Sequence, residues 1–224
     1  MKKILTALCA AMLLLSLAAC GGQDASAGAG GTGSVPAGAS SAASVAQAPS
    51  SSETEEDEPY SPGTWTDNVY NDPWANISFT LPEGWLSLTG EEVELVVGEL
   101  PETDTVSFCV TKSDLTGWVF MDVVDLEAAG SADLTEEQYV GQLQLVFKLT
   151  GEDSYDVTGP EDGEFAGIPC KTLTITDKNT GVVQTYYAAK KGARMLAFVT
   201  VASDAAVTGE VEALIASIQP AQAV

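Results

Sequence analysis

The sequence predicts an α+β domain: an antiparallel sheet of about six strands with helices on both faces. Three observations lead there. Three strand patterns follow one another between residues 165 and 201, and the turns between them are too short for anything but antiparallel neighbours. Two apolar runs, Trp118 to Val124 and Met195 to Val201, have no polar face, so both of their sides need cover. Two capping boxes open helices in a chain otherwise patterned as strands.

The elements follow in order from Tyr60. A lead-in segment carries turn signals at Pro62-Gly63 and Asn71-Asp72-Pro73 and the aromatic residues Trp65, Tyr70 and Trp74. Ile77, Phe79 and Leu81 alternate with polar residues as a half-buried strand, which Pro82-Glu83-Gly84-Trp85 ends in a turn. Thr89-Gly90-Glu91-Glu92 is a capping box, with Leu88 and Val93 placed as its hydrophobic staple. Val93, Val96, Val97 and Leu100 then recur at helical spacing up to Pro101, although so valine-rich a run also suits a strand. Val106, Phe108 and Val110 alternate as a second strand, and Trp118 to Val124 reads as a central one. Thr135-Glu136-Glu137-Gln138 is the second box, stapled by Leu134 and Tyr139. Tyr139, Leu143, Val146 and Phe147 share one helix face, and Gly151 is its stop. Phe165 to Thr176, Val182 to Ala189 and Met195 to Val201 are the three consecutive strands. A last helix carries Val211, Leu214, Ile215 and Ile218 and ends before Pro220.

Two stretches of this layout resemble a known family. Ile77-Ser78-Phe79-Thr80-Leu81-Pro82-Glu83-Gly84-Trp85 is similar to the opening strand and turn of PsbP-like domains, including the DcrB-type bacterial lipoproteins. Phe165-Ala166-Gly167-Ile168-Pro169, ahead of a three-strand meander and a C-terminal helix, is similar too. The resemblance spans most of residues 70 to 219. It implies an α/β/α sandwich used mostly in binding or assembly accessory roles, and it transfers no functional residue, because these motifs are packing signatures.

The domain hangs behind an export segment. Lys2 and Lys3 precede an almost unbroken apolar run from Ile4 to Leu17, the pattern of a secretory signal peptide. The run is short of the roughly 20 apolar residues that a spanning helix needs. Leu17-Ala18-Ala19-Cys20, followed by Gly21 and Gly22, resembles the lipobox of bacterial lipoproteins. That resemblance implies a signal peptide over residues 1–19, cleavage before Cys20 and diacylation of its thiol; two acyl chains anchor stably where one is marginal. The plainer alternative is an ordinary cleaved signal with an incidental cysteine. Residues 20–58 follow as a tether of Gly, Ala, Ser, Thr, Pro, Gln and acids, in which Val35 and Val45 are the only larger apolar side chains. Such a stretch cannot bury enough surface to offset its ordering entropy. As a flexible chain it reaches about 30–40 Å. Residues 59–224 are the domain.

Composition removes whole classes of chemistry. With Lys2 and Lys3 lost, seven basic residues face 32 acidic ones, a formal charge of −25 on the mature chain. Nucleic acid and anionic headgroups are repelled by such a surface. There is no histidine, which excludes histidine triads and His-ligated zinc or copper sites. Cys109 and Cys170 remain after the leader and Cys20 are set aside, with no CxxC spacing, so no metal cluster is expected. An exported compartment permits a disulfide between them, and two buried thiols are the simpler reading. No cofactor and no catalytic residue is assigned.

Four candidate features remain. Asp122, Asp125 and Glu127 gather acids at a strand end, but Asp122 and Asp125 fall on opposite faces of a regular strand. Asp177-x-Asn179-x-Gly181 resembles the start of a calcium loop, yet its glycine is at position five and Ala188 stands at twelve, so it reads as a hairpin turn. Lys190, Lys191 and Arg194 are candidate partner contacts in so acidic a chain. Trp65 and Trp74, in the lead-in segment, are candidate partner contacts as well; Trp74, Trp85 and Trp118 could line a ligand groove, with core packing the expected place of Trp85 and Trp118.

The reading that follows is a lipid-anchored binding or assembly accessory module on the extracytoplasmic face of a bacterial membrane, without turnover. The alternative is a cell-surface enzyme using carboxylates or calcium, which only the acid excess supports. The expected partners are the membrane, through the N-terminal lipid, and one protein or ligand; the chain is taken as a monomer and as too short for a two-lobed solute receptor. If Cys20 carries the anchor, Cys20→Ser should move the protein from the membrane fraction to the soluble one. Fractionation that leaves the cleaved variant on the membrane contradicts the assignment.

Overall fold

The computed structural model describes residues 59–151 and 153–221. The expected signal peptide over residues 1–19, Cys20 and the expected tether lie outside the described residues. Ten strands and three helices are described. A small antiparallel sheet comes first, β1 (Thr64–Thr66), β2 (Val69–Asp72) and β3 (Ile77–Thr80) in that order. The main sheet holds β4 (Trp85–Leu88), β5 (Asp104–Lys112), β6 (Gly117–Asp125), β7 (Tyr155–Phe165), β8 (Ile168–Asp177), β9 (Val183–Lys191) and β10 (Arg194–Ala202). Its spatial order is β4-β5-β6-β10-β9-β8-β7, and every neighbour is antiparallel. The helices are α1 (Glu91–Val97), α2 (Glu136–Gly151) and α3 (Ala205–Ala216). The fold is therefore α+β, with the sheet covered on both faces.

Each face of the sheet has its own core. On one, Phe108, Val110, Val119, Met121, Leu196 and Phe198 pack against Tyr70, Ile77 and Phe79 of the small sheet and Val207, Val211 and Leu214 of α3. On the other, Cys109, Phe120, Leu173, Tyr186 and Val199 pack against Val97 of α1 and Tyr139, Leu143 and Phe147 of α2. The two cysteines among the described residues are both buried and unpaired, Cys109 on the second face and Cys170 on the first. Close approach is built in at Gly117, where a β-carbon would stand 2.6 Å from Val207 Cγ1 of α3.

Helix starts follow their chemistry. Thr135 and Gln138 close the full box: Gln138 N–H donates to Thr135 Oγ1 at 3.2 Å and Thr135 N–H to Gln138 Oε1 at 3.0 Å. At α1 only half of the box forms, Thr89 N–H donating to Glu92 Oε2 at 3.3 Å, while Gly90 takes the cap position without a side-chain bond. Asp204 caps α3, accepting from the Ala206 and Val207 amides at 2.9 and 3.1 Å. That helix ends at Ala216, earlier than expected; Gln219 then pairs with Ser78, and so extends the small sheet past Ile218.

The strand reading needs four corrections. Ile77 begins a strand of the small sheet, outside the main one. Trp85 starts β4 where a turn was expected, a four-residue edge strand too short to show alternation. Phe165 closes β7 and a two-residue turn at Ala166-Gly167, both with positive φ, separates it from β8. β7 itself, with Gly159, Pro160, Asp162 and Gly163, has a composition that only an edge strand tolerates. Finally, the pairing of β5 slips between Val106 and Phe108. Val106 consequently faces the helices while Phe108 and Val110 face the small sheet.

Trp85 is 7% exposed in the first core, as expected of a residue at the joint between turn and strand. Trp85→Ala should cost about 3–5 kcal/mol of unfolding free energy, measured by chemical denaturation. A loss below about 1 kcal/mol would remove Trp85 from the core.

Candidate functional site

The structure brings three of the five candidate contact residues together. Lys191 Nζ donates to the Trp74 carbonyl at 2.6 Å and lies 5.1 Å from the centre of its ring. Tyr60 meets Trp74 edge-on at 4.9 Å. Arg194 stacks over Tyr60 at 5.1 Å and pairs with Asp125 at 3.0 Å. These residues line a cavity of about 160 Å³ with Glu127 at its rim. Lys190 points to the opposite face, its Nζ donating to the Ala132 carbonyl at 2.7 Å and its N–H to Glu136 at 3.1 Å. Trp65 is half-buried against Tyr70 and Phe79. The cationic heads of Lys190, Lys191 and Arg194 are thus engaged within the chain.

The acidic cluster separates. Asp125 holds Arg194 on one face, and Asp122 lies on the other at 1% exposure. Burial first, and the carboxylate of Asp104 second, push the Asp122 carboxyl up to about 8; the Val123 and Thr105 amides act against this. Asp104 is also raised by burial, although the Thr103 hydroxyl donates to it at 2.7 Å. The carboxyl pair is therefore Asp104 with Asp122, brought close by a register that sets Val106 opposite Asp122 and Asp104 opposite Val124. Asp104 was not visible as a partner, because the pairing depends on register. Asp177 accepts from the Asn179 and Thr180 amides and closes the expected hairpin turn. Among the described residues, no three His, Cys, Asp or Glu side chains converge as a metal site.

A more distinctive site lies at the other end of the helix-bearing face. Leu86, Thr111, Trp118 and Val201 stand opposite one another across β4, β5, β6 and β10, and residues opposed in this way share a face. Thr111, Trp118 and Val201 form the floor of a groove of about 310 Å³. Leu88 and Val182 close its sides, α1 contributes Glu92, Leu95 and Val96 as one wall, and the β5–β6 hairpin contributes Leu115 and Thr116 as the other. Leu95 is 71% exposed and Leu115 51%, with Leu86 equally open beside them. Leu115 occupies the left-handed region (φ 58°), which a leucine rarely adopts. Its loop is fixed by Asp114, whose Oδ1 accepts from the Thr116 amide at 3.1 Å and hydroxyl at 2.6 Å. Trp118 is half-buried in the floor, partly core and partly lining, and its Nε1 finds no hydrogen-bond partner among the described residues. The signals in the sequence were Leu95, off the buried stripe of its helix, and Leu115, in an otherwise polar turn.

Fold and groove together define an α+β domain with an open apolar cleft beside its edge strand. No protein-family model matches the chain, and no curated protein does. Solved structures are similar to it. The solution structure of PsbP from Synechocystis sp. PCC 6803 has 13% identity, covering 68% of this chain and 91% of that one, with a TM-score of 0.43. LpqN of Mycobacterium tuberculosis, described as involved in cell envelope biogenesis, has 10% identity over 65% of this chain and 83% of that one, TM-score 0.37. A protein of Bacteroides thetaiotaomicron VPI-5482 has 14% identity over 69% of this chain, TM-score 0.36; the match spans 48% of that protein.

The buried carboxyl gives a pH signature. Asp122 keeps its proton in the folded chain up to about 8, whereas an unfolded aspartate loses it near 3.8. Between those values the unfolded chain binds fewer protons, so this group's contribution makes stability fall as pH rises, levelling off above about 8. Asp122→Asn stays neutral and should flatten that slope in denaturant melts from about pH 5 to about pH 8. Equal slopes in parent and variant would contradict the assignment.

Proposed function

We propose that this chain is a lipid-anchored extracytoplasmic binding or assembly accessory module, working without turnover, and that it binds through the groove floored by Trp118 and Val201. One observation carries the reading: a fixed apolar cleft whose rim leucines, Leu95 and Leu115, face solvent. Apolar side chains gathered around a concavity mark ligand and partner sites far more than scattered ones do. The export segment with Cys20 supports the anchor, and the low-apolar tether supports a domain held at a distance from the bilayer. The absence of turnover rests on chemistry: the chain has no histidine, and Asp122 of the carboxyl pair is sealed beneath the helices.

The test uses the full mature chain carrying Cys20→Ser, so that no lipid is present, and the neutral fluorophore N-phenyl-1-naphthylamine. It should bind at one site. Leu115→Asp, which puts a residue tolerant of positive φ at that position, should weaken binding about tenfold or more, equivalent to about 1.4 kcal/mol. Leu149→Asp, at an exposed position on α2, should leave it unchanged. Equal affinity in all three proteins, or no binding, contradicts the groove reading.

A further inference from the structure

We infer that the occupant of this groove is a basic amphipathic segment of another protein, one that inserts apolar side chains and sets lysine or arginine against the rim. The inference rests on the groove reading above and adds the chemistry of the partner.

Charge selects the occupant. Glu92 is part of the wall; Glu91 and Glu94 are its neighbours in α1 and add negative charge to that short helix without lining the groove. Asp114 precedes Leu115, and the hydroxyl and amide of Thr116 hold its carboxyl below the usual range, so it stays ionised. Among the described residues, no lysine or arginine lines the groove. Lys112, at the end of β5, is paired with Glu210 of α3 at 2.6 Å, and its charge also reaches Asp114. An apolar cleft with an anionic rim is complementary to apolar side chains flanked by cations.

Other occupants fit less well. An anionic membrane surface and a second copy of this chain both bring negative charge to a negative rim. The chain's own residues 21 to 58 hold no lysine or arginine, offer only Val35 and Val45 as larger apolar side chains, and end in the acidic run Glu53 to Glu58. The volume, about 310 Å³, is at the small end of the roughly 300–1,000 Å³ of ligand pockets. It suits a few side chains from one segment better than a pair of lipid tails.

Two fluorescent peptides of equal length and charge test this on the full mature Cys20→Ser chain: an amphipathic Leu/Lys peptide and a Gln/Lys peptide without apolar residues. At about 0.15 M salt, where only charges within about 8 Å act strongly, the Leu/Lys peptide should bind at least about tenfold tighter. Leu95→Asp or Leu115→Asp should remove most of that difference. Replacing Glu91, Glu92 and Glu94 together with Gln should weaken the Leu/Lys peptide about threefold or more and reduce its salt dependence. Equal binding of the two peptides, or no effect of the glutamate substitutions, overturns the inference. So does binding of phosphatidylglycerol vesicles that Leu115→Asp abolishes. If the neutral fluorophore still binds in those cases, the groove reading survives; if it does not, both fall.

Discussion

The structure depends on the pairing of β6 with β10 at the centre of the main sheet. From Met195 onward, every residue of β10 is buried, so neither of its faces can meet water. A strand of this kind forces cover on both sides, at about 25 cal/mol for each Å² of apolar surface removed from water. The rest of the chain supplies that cover in two different ways. The helix-bearing face receives the sixteen-residue α2 and the seven-residue α1. The other receives α3 and the small sheet. The groove lies where the cover runs short, because α1 is only seven residues long and Val97 is its one buried side chain. Trp118 and Val201 belong to the central pair, yet at this end they floor an open cleft.

The strands of the small sheet are only three or four residues long, and a buried polar network fastens it to the main sheet. Asp72 is fully buried and accepts from the Ala75 amide at 2.8 Å, the Ser107 hydroxyl at 2.9 Å and the Tyr70 hydroxyl at 3.1 Å. Ser107 reaches this network because the slip in β5 directs both Ser107 and Phe108 towards the small sheet. Burial, then the charge of Asp72, raise the Tyr70 hydroxyl far above its ordinary range, so it stays a neutral donor. Phe79, Phe108 and Tyr70 complete an aromatic cluster around the network, with ring centres 5.1–5.4 Å apart. Directional bonds and ring packing both act here, so the small sheet has one seating on the large one.

Legibility tracked how much of an element's form is local. The α2 box, the two-faced runs of β6 and β10, and the hairpin at Asp177 are set by neighbours within a few residues, and all three read correctly. β1, β2 and β4 are three or four residues long, too short for a period to show, and β7 violates strand composition in a way only its edge position permits. The site divides along the same line. Trp118, Leu95 and Leu115 each stand out locally. What joins them is register: the row from Leu86 to Val201 crosses four strands that are far apart in sequence. The pairing of Asp104 with Asp122 was hidden for the same reason.

The placement of the few cations determines the character of the groove. Lys112 ties the end of β5 to α3 through Glu210, Arg194 ties β10 to Asp125, Lys171 holds Asp162 across the β7–β8 pair, and Lys178 holds Asp156. Exposed pairs of this kind add little to stability, because solvent screens them. Their larger effect is on the field, because each one neutralises an acid where it stands. Among the described residues, the acids on α1 have no such ion pair, and Asp114 feels the charge of Lys112 without pairing with it. The Debye length is about 8 Å at physiological salt. The formal charge of the chain as a whole is therefore screened at the groove and acts chiefly on solubility. What an approaching surface meets at Leu95 and Leu115 is the local rim, where Glu92 lines an apolar floor and Asp114 stands next to Leu115 in the chain. In the binding proposed above, selectivity would therefore reside in a handful of side chains on one short helix and one hairpin.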